Sequence, residues 1–296
     1  MKLELKNIHK SYGNHHVLKG INLTVTGGRA MGLLGRNGSG KTTMIRGIME
    51  VFNFDEGTVT HNVEANEIGY LPEERGVYPK STLKEQMVYF AMLKGVPSKV
   101  AKERADYWLD RMELTPYANK KADSLSKGNQ QKIQVAIALM HEPEVLILDE
   151  PFSGLDPVNS ELLKTIVREQ INQGKVVLFS SHQMASVEEF CDDIAILNAG
   201  EIVLSGDLRD IKANYPKERI SFFADNLENL QTQLKMIPEI AIDHVNNESV
   251  TVKVVGLSDI FALAKDISNK LVDINGYRIV EPTLEEIFIE YGKDFN

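Results

Sequence analysis

The sequence predicts an α/β protein with a parallel sheet in a large N-terminal domain and a small α+β domain after it. Short apolar segments alternate with helical segments between about residues 30 and 197, which favours a parallel sheet with helices on both faces. A glycine-rich loop joins one of these strands to a helix. Near residue 218 the charge and the hydrophobic pattern change. A chain of 296 residues is also long for one domain, so we expect two.

The glycine-rich loop fits the pattern G-x-x-x-x-G-K-[ST] of a phosphate-binding loop. The apolar run 30–34 predicts a strand before it and 43–50 a helix after it, a context that disfavours a chance match. Glycines let backbone N–H groups surround a phosphate, and the helix adds the positive end of its dipole. The predicted nucleotide-binding residues of this unit are Gly35, Arg36, Asn37, Gly38, Ser39, Gly40, Lys41, Thr42 and Thr43. Lys41 should reach the β- and γ-phosphates, and the Thr42 hydroxyl should bind Mg²⁺.

Four further features each have an ordinary explanation when they are considered alone. The apolar run 145–148 ends in Asp149 and Glu150, as any buried parallel strand that reaches the surface could. Ser126 could simply cap a helix, and His182 could be an ordinary loop histidine. Tyr12 could be a core or surface residue. Their joint occurrence in one order and spacing outweighs these separate alternatives.

Together the motifs resemble those of ATP-binding cassette (ABC) ATPases over residues 1–215. The resemblance implies that Tyr12 stacks on adenine beside Val17, that Asp149 holds Mg²⁺, and that Glu150 and His182 are catalytic with Lys41. The segment 153–156 corresponds to the D-loop with Asp156. The signature, which would contact the ATP of a partner subunit, is formed by Leu125, Ser126, Lys127, Gly128 and Asn129.

The implied fold is a P-loop NTPase of the ABC type at residues 1–217. It has a parallel core sheet, an antiparallel β-subdomain and a helical subdomain at about 82–140. Alternating segments at 3–8 and 21–26 predict the antiparallel strands. The helical pattern from 82 to 112 is interrupted at 95–97, where glycine and proline break it.

Two positions depart from the ABC pattern. Glu73 stands where most relatives have the Q-loop glutamine, and its carboxylate can still bind Mg²⁺ while adding negative charge beside ATP. Lys127 replaces the first glycine of the signature, but Ser126 and Gly128 are kept. The segment 68–75 together with the signature resembles the sodium-exporter-like branch of ABC ATPases.

Residues 218–296 read as β-α-β-β-α-β, which predicts a ferredoxin-like sandwich. From residue 217 there are eight basic and fourteen acidic side chains, which carry most of the net charge of −9. Thr283 and Glu286 predict a capping box for the last helix. The closing segment 281–288 resembles ATPase subunits of ABC-2-type exporters, and we expect a dimerising or regulatory role, with a passive appendage as the alternative.

Composition limits the function. The acidic balance argues against nucleic acid as a partner. The single Cys191 suits a reducing compartment and is expected to be a small buried apolar residue. The N-terminus is not a signal peptide, and no apolar run approaches the ~20 residues that span a bilayer. We therefore expect a cytoplasmic protein, and the resemblance to ABC ATPases implies that it is peripheral on the cytoplasmic face of the cell membrane.

The resemblance implies an ATP-hydrolysing subunit of an ABC transporter that binds ATP and Mg²⁺. Its P-loop and signature would meet across a head-to-tail homodimer, or a heterodimer with a similar ATPase. It would drive a separate integral membrane permease subunit, with export favoured. A soluble ABC ATPase acting on ribosomes or DNA is the alternative, disfavoured by the single P-loop and the short gap before the signature. A P-loop kinase leaves the signature unexplained.

Overall fold

The computed structural model describes residues 1–61, 63–73, 76–256 and 259–292. The chain forms two compact units. The first contains Met1–Leu208 together with the described residues from Phe288 onward, and the second contains Arg209–Ile287. The second unit thus begins before the boundary at 217/218 that composition suggested, and the chain returns to the first unit at its end.

The first unit holds two sheets. Its strands are β1 (Lys2–Tyr12), β2 (His15–Thr26), β3 (Ala30–Leu34), β4 (Glu56–His61), β5 (Ile68–Leu71), β6 (Val145–Asp149), β7 (Val176–Ser180), β8 (Asp193–Asn198) and β9 (Glu201–Asp207). The three-stranded antiparallel sheet has the order β2-β1-β4, and the six-stranded sheet has the order β5-β6-β7-β3-β8-β9. All pairs in the larger sheet are parallel except β8 with β9.

The central strands of the larger sheet are apolar because both of their faces are covered. Every residue of β3, β6 and β7 is buried. The helices of this unit are α1 (Lys41–Ile48), α2 (Leu83–Leu93), α3 (Ser98–Arg111), α4 (Lys127–Leu139), α5 (Pro157–Asn172) and α6 (Met184–Phe190). The predicted parallel core sheet and antiparallel β-subdomain are confirmed.

The predicted helical subdomain consists of α2, α3 and α4. Thr82 caps α2 and forms a reciprocal capping box with Glu85. Gly95 has a φ of +87° just after α2, and Pro97 precedes α3, so the break lies where glycine and proline predicted it. Ser126 caps α4 by accepting a hydrogen bond from the Asn129 N–H at 3.3 Å.

The second unit is a four-stranded antiparallel sheet with helices. Its strands are β10 (Arg219–Phe223), β11 (Ile240–Val245), β12 (Ser249–Val254) and β13 (Gly276–Val280), and α7 (Leu208–Asn214), α8 (Leu227–Leu234), α9 (Ile260–Lys270) and α10 (Leu284–Tyr291) are the remaining helices. The strand order β11-β12-β10-β13 is that of a ferredoxin-like sandwich, as predicted. Ile220, Phe222 and Val252 lie at the centre of its core.

Both ends of α10 are fixed by side chains. Thr283 and Glu286 form the predicted capping box, and Glu286 also pairs with Arg219 on the sheet. At the other end, in the first unit, Asn198 Nδ2 donates to the Tyr291 carbonyl at 3.0 Å. In the described parts of the chain, no helix has the length and apolar character that crossing a membrane requires.

Candidate nucleotide-binding site

A cleft of about 720 Å³ in the first unit collects most of the predicted site residues. It is lined by Tyr12, His15, Val17, Arg36, Asn37, Gly38, Gly40, Lys41, Thr42, Thr43, Glu73, Asp149, Glu150 and His182. These residues are up to 170 positions apart in the sequence, and the parallel sheet brings them together at the ends of its strands. A cleft beyond the carboxyl ends of parallel strands is where open α/β sheets bind ligands.

The loop between β3 and α1 has the backbone that phosphate binding needs. Gly38 and Gly40 have φ values of +83° and +110°, which side chains rarely permit. A Cβ on Gly40 would lie 2.8 Å from Leu18 Cδ2, and one on Gly35 would lie 2.5 Å from Ser39 Oγ. Gly35 and the buried Ser39 therefore shape the loop from behind and do not line the cleft.

Lys41 holds the loop together from the first position of α1. Its ammonium donates to the carbonyls of Gly35 at 2.6 Å and Arg36 at 3.2 Å. Burial lowers the pKa of Lys41, and the nearby charges of Asp149 and Glu150 oppose that shift. A half-buried ammonium on a flexible side chain is well suited to donate hydrogen bonds to phosphate oxygens.

The parallel pairing of β6 with β7 brings the acidic residues beside Ser180 and His182. Asp149 and Ser180 are register partners, and the Ser180 hydroxyl donates to Asp149 Oδ1. Burial raises the pKa of Asp149. The Glu150 N–H donates to the Ser180 carbonyl at 3.0 Å, which continues the pairing by one residue.

Both oxygens of the Glu150 carboxylate are hydrogen-bonded. Its Oε1 accepts from the backbone N–H of His182 and contacts His182 Nδ1, both at 2.6 Å. Its Oε2 accepts from the Ser181 hydroxyl at 3.1 Å. Glu150 also has a φ of +51°, an uncommon conformation for a residue with a side chain. The side chain is thus aimed by three donors at the edge of the cleft.

Aromatic and histidine side chains of the β1–β2 hairpin form the other wall. Tyr12 is 52% exposed and contacts Phe52 edge to face with 6.2 Å between ring centroids. Val17 lines the same wall, and so does His15, which the sequence reasoning missed. Its position between Tyr12 and Val17, two residues that were singled out, was the available signal.

The signature and D-loop residues lie outside this lining. Leu125 is buried, while Ser126 and Lys127 are exposed at the start of α4. Asp156 caps α5, accepting from the Asn159 N–H at 3.0 Å and from Asn159 Nδ2 at 2.5 Å. These hydrogen bonds lower the pKa of Asp156. Within one chain, therefore, the predicted signature does not meet the predicted phosphate site.

Oxygen ligands for a divalent cation are present in the cleft. The Thr42 hydroxyl and the carboxylates of Glu73 and Asp149 line it together, and oxygen donors are what Mg²⁺ prefers. Among the described residues, no group of three or more histidine, cysteine or acidic side chains forms a complete cage. A partial protein shell fits a Mg²⁺ ion whose other ligands are phosphate oxygens and water.

Known families and proteins resemble this chain over most of its length. The ABC transporter family description matches residues 18–153, and the description of the C-terminal domain of DrrA1-3-like ATP-binding proteins matches residues 206–291. The uncharacterized ABC transporter ATP-binding protein YhaQ of Bacillus subtilis is 40% identical over 300 residues, 97% of either chain. The linearmycin resistance ATP-binding protein LnrL of the same organism is 32% identical, again over 97% of each chain.

Solved structures of ATP-binding proteins superpose on most of this chain. An ATP-binding subunit of an ABC transporter superposes with a TM-score of 0.67 at 30% identity, covering 72% of this chain and 92% of the other. A dimeric ATP-binding cassette bound to ADP and phosphate superposes with a TM-score of 0.63 at 26% identity, covering 70% and 99%.

The fold and the cleft define a P-loop ATPase with an appended ferredoxin-like unit. The relatives specify it further: this chain belongs to the ATP-binding proteins of ABC transporters. ATP is accordingly its nucleotide, and ATP hydrolysis is its activity.

Proposed function

We propose that this protein couples ATP-driven, head-to-tail dimerisation to a separate integral membrane subunit, and that it acts in export. The observation that carries the proposal is the separation of the two halves of an ATP site. Lys41, Asp149, Glu150 and His182 line one cleft, whereas Ser126 and Lys127 are exposed outside it. A second copy, or a similar ATPase, would bring its signature to this cleft.

In this proposal Glu150 activates the attacking water. Its carboxylate is held by His182 and Ser181, and it can accept a proton or orient the water for in-line attack. His182 would contact the γ-phosphate from its exposed position. Lys41 would leave the loop carbonyls and stabilise the charge that develops on the transferring phosphoryl group.

The remaining predicted residues bind and position the nucleotide. Tyr12 would stack on adenine with Val17 beside it, and the loop amides around Gly38 would surround the phosphates. Thr42, Glu73 and Asp149 would hold Mg²⁺, which neutralises phosphate charge when it is bound. Asp156, at the N-terminus of α5, would lie at the contact between the two subunits.

The contact with the membrane subunit is supported by an apolar pocket beside the helical subdomain. It has a volume of about 360 Å³ and is lined by residues that include Tyr70, Phe90, Leu93 and Gln134. Gln134 is only 5% exposed, yet among the residues that the structure describes neither its Nε2 nor its Oε1 has a hydrogen-bond partner. An unpaired buried amide costs about 1–3 kcal/mol, so a partner segment that inserts an apolar side chain and pairs with Gln134 would be stabilised here.

Co-purification tests the membrane partner. Leu93 is 63% exposed at the pocket, and a Leu93→Asp variant should lose an integral membrane protein that wild type retains. Val272→Asp is the matched control, because Val272 is 61% exposed in the other unit. Retention by both variants, or the lack of any membrane protein with wild type, would contradict the proposal. A membrane subunit would keep this chain on the cytoplasmic face of the membrane.

The proposed direction of transport is supported by the name of one relative. LnrL is named for resistance to linearmycin, and resistance is consistent with export. We propose that the ferredoxin-like unit dimerises or regulates the ATPase. Ending the chain after Pro216 should weaken self-association. A chain that ends after Ile287 is the control, since the described residues that it loses, 288–292, belong to the first unit.

A further inference from the structure

Two buried side chains of α4, Gln131 and Lys132, extend toward the segment 150–159 that follows β6. Gln131 is 9% exposed and Lys132 is 3% exposed. Polar side chains are rarely buried without a partner, so their contacts identify what they stabilise. Both face the same segment, which contains the catalytic glutamate at one end and the D-loop at the other.

Gln131 binds the backbone on which Glu150 depends. Its Nε2 donates to the Pro151 carbonyl at 3.0 Å and to the Glu150 carbonyl at 3.4 Å. The Glu150 carbonyl also accepts from the Ser153 N–H at 3.1 Å, which closes a turn. Because Glu150 has a φ of +51°, this turn needs external hydrogen bonds to persist.

Lys132 binds the D-loop end of the same segment. Its ammonium donates to Asn159 Oδ1 at 3.0 Å, and Asn159 in turn donates through Nδ2 to Asp156. Gly128 lies close to the same segment, since a Cβ added there would be 3.4 Å from Leu155 Cδ2, an ordinary van der Waals distance. The first turns of α4, the helix that begins at the signature, therefore contact both ends of the segment 150–159.

We propose that Gln131 is a positioning residue for Glu150, and that the chain Lys132–Asn159–Asp156 supports it. When the signature of one subunit engages the ATP of its partner, α4 transmits that engagement to the subunit's own Glu150. The two ATP sites of a dimer are thereby linked through each chain. This inference rests on the catalytic role proposed for Glu150.

The test compares Gln131→Met with Gln170→Met in the full-length protein. Methionine keeps the length of glutamine and removes the N–H donor. Gln170 is similarly buried, at 6% exposure, but it pairs with Lys175 away from the cleft. Gln131→Met should lower kcat about tenfold, the effect of one lost hydrogen bond, and leave the Kd for ATP unchanged within about twofold. Gln170→Met should reduce stability to a similar extent without changing kcat.

Asn159→Ala provides a second test at a less buried position. The variant retains the backbone N–H that donates to Asp156, the cap of α5, but removes the amide oxygen that accepts from Lys132. We therefore expect kcat to fall about threefold with ATP binding intact. If Gln131→Met does not fold, the kcat of Asn159→Ala decides whether contacts between α4 and the segment 150–159 affect catalysis. The Hill coefficient for ATP should also fall in both variants, which a loss of packing alone would not cause.

The proposal is overturned if Gln131→Met loses no more kcat than Gln170→Met, or if kcat falls only in parallel with ATP affinity. Glu150→Gln, measured in the same series, separates this failure from failure of the catalytic assignment. Full turnover in Glu150→Gln would contradict the catalytic role assigned to Glu150. Slow turnover in Glu150→Gln together with normal turnover in Gln131→Met would contradict only the positioning role of Gln131.

Discussion

Glu150→Gln should nearly abolish ATP hydrolysis while preserving the structure of the cleft. Glutamine has the same shape as glutamate, and its amide oxygen can accept the two hydrogen bonds from His182 that now reach Oε1 at 2.6 Å. What is lost inside the fold is the charge assistance of these bonds, about 1 kcal/mol. The variant should therefore remain folded and bind ATP.

The loss in catalysis is much larger than the loss in stability. A positioned general base contributes about 10²–10⁴ in rate, or roughly 3–5 kcal/mol in the barrier. We expect kcat to fall by that factor, with the Kd for ATP close to that of wild type. Because hydrolysis reopens the proposed dimer, the variant should accumulate as a dimer when ATP is added.

Steady-state ATPase assays, isothermal titration calorimetry and size-exclusion chromatography with ATP measure these three quantities. Glu161→Gln is the matched control, since Glu161 is an exposed glutamate that pairs with Lys164 on the surface. A kcat within tenfold of wild type would refute Glu150 as the catalytic base. A variant that stays monomeric with ATP, while wild type turns over normally, would refute the interfacial site.

Three further variants test the phosphate loop, the metal shell and a buried histidine of the first unit. Lys41→Ala should abolish ATP binding or turnover, because the loop loses its cation; near-normal ATPase activity would refute the phosphate-loop assignment. Glu73→Gln should change the Mg²⁺ dependence of ATPase activity yet leave substantial turnover, and an unchanged dependence would exclude Glu73 from the metal shell. Burial lowers the pKa of His141 to about 4, so the neutral ring stabilises the fold above about pH 6.5. This contribution, at most ~3 kcal/mol, should be lost as the pH falls from 6.5 to 4. The free energy of unfolding, measured with urea at several pH values, should fall more steeply from pH 6.5 to 4 in wild type than in His141→Gln. An equal pH dependence in the two proteins would contradict the lowered pKa of His141.

Local sequence patterns were sufficient for much of this protein. The spacing of Gly35, Gly40 and Lys41 predicts the phosphate loop because only a small set of backbone conformations admits such a turn. Strand and helix periodicity predicts the parallel core sheet and the ferredoxin-like unit, since each element must bury one continuous face. The phosphate loop and the order of helices and strands along the chain depend on neighbours in sequence, so the sequence by itself indicates them.

Tertiary structure decided the contacts between residues that are distant in sequence. No local pattern links Gln131 to the Glu150 carbonyl, or His15 to the wall of the cleft. The return of the chain from Phe288 into the first unit, with Tyr291 bonded to Asn198, also has no signal in composition. Such contacts arise from strand order and side-chain direction, which depend on how whole elements pack. The sequence therefore determined which chemical groups the protein carries, and the packing of its sheet and helices decided which of them meet.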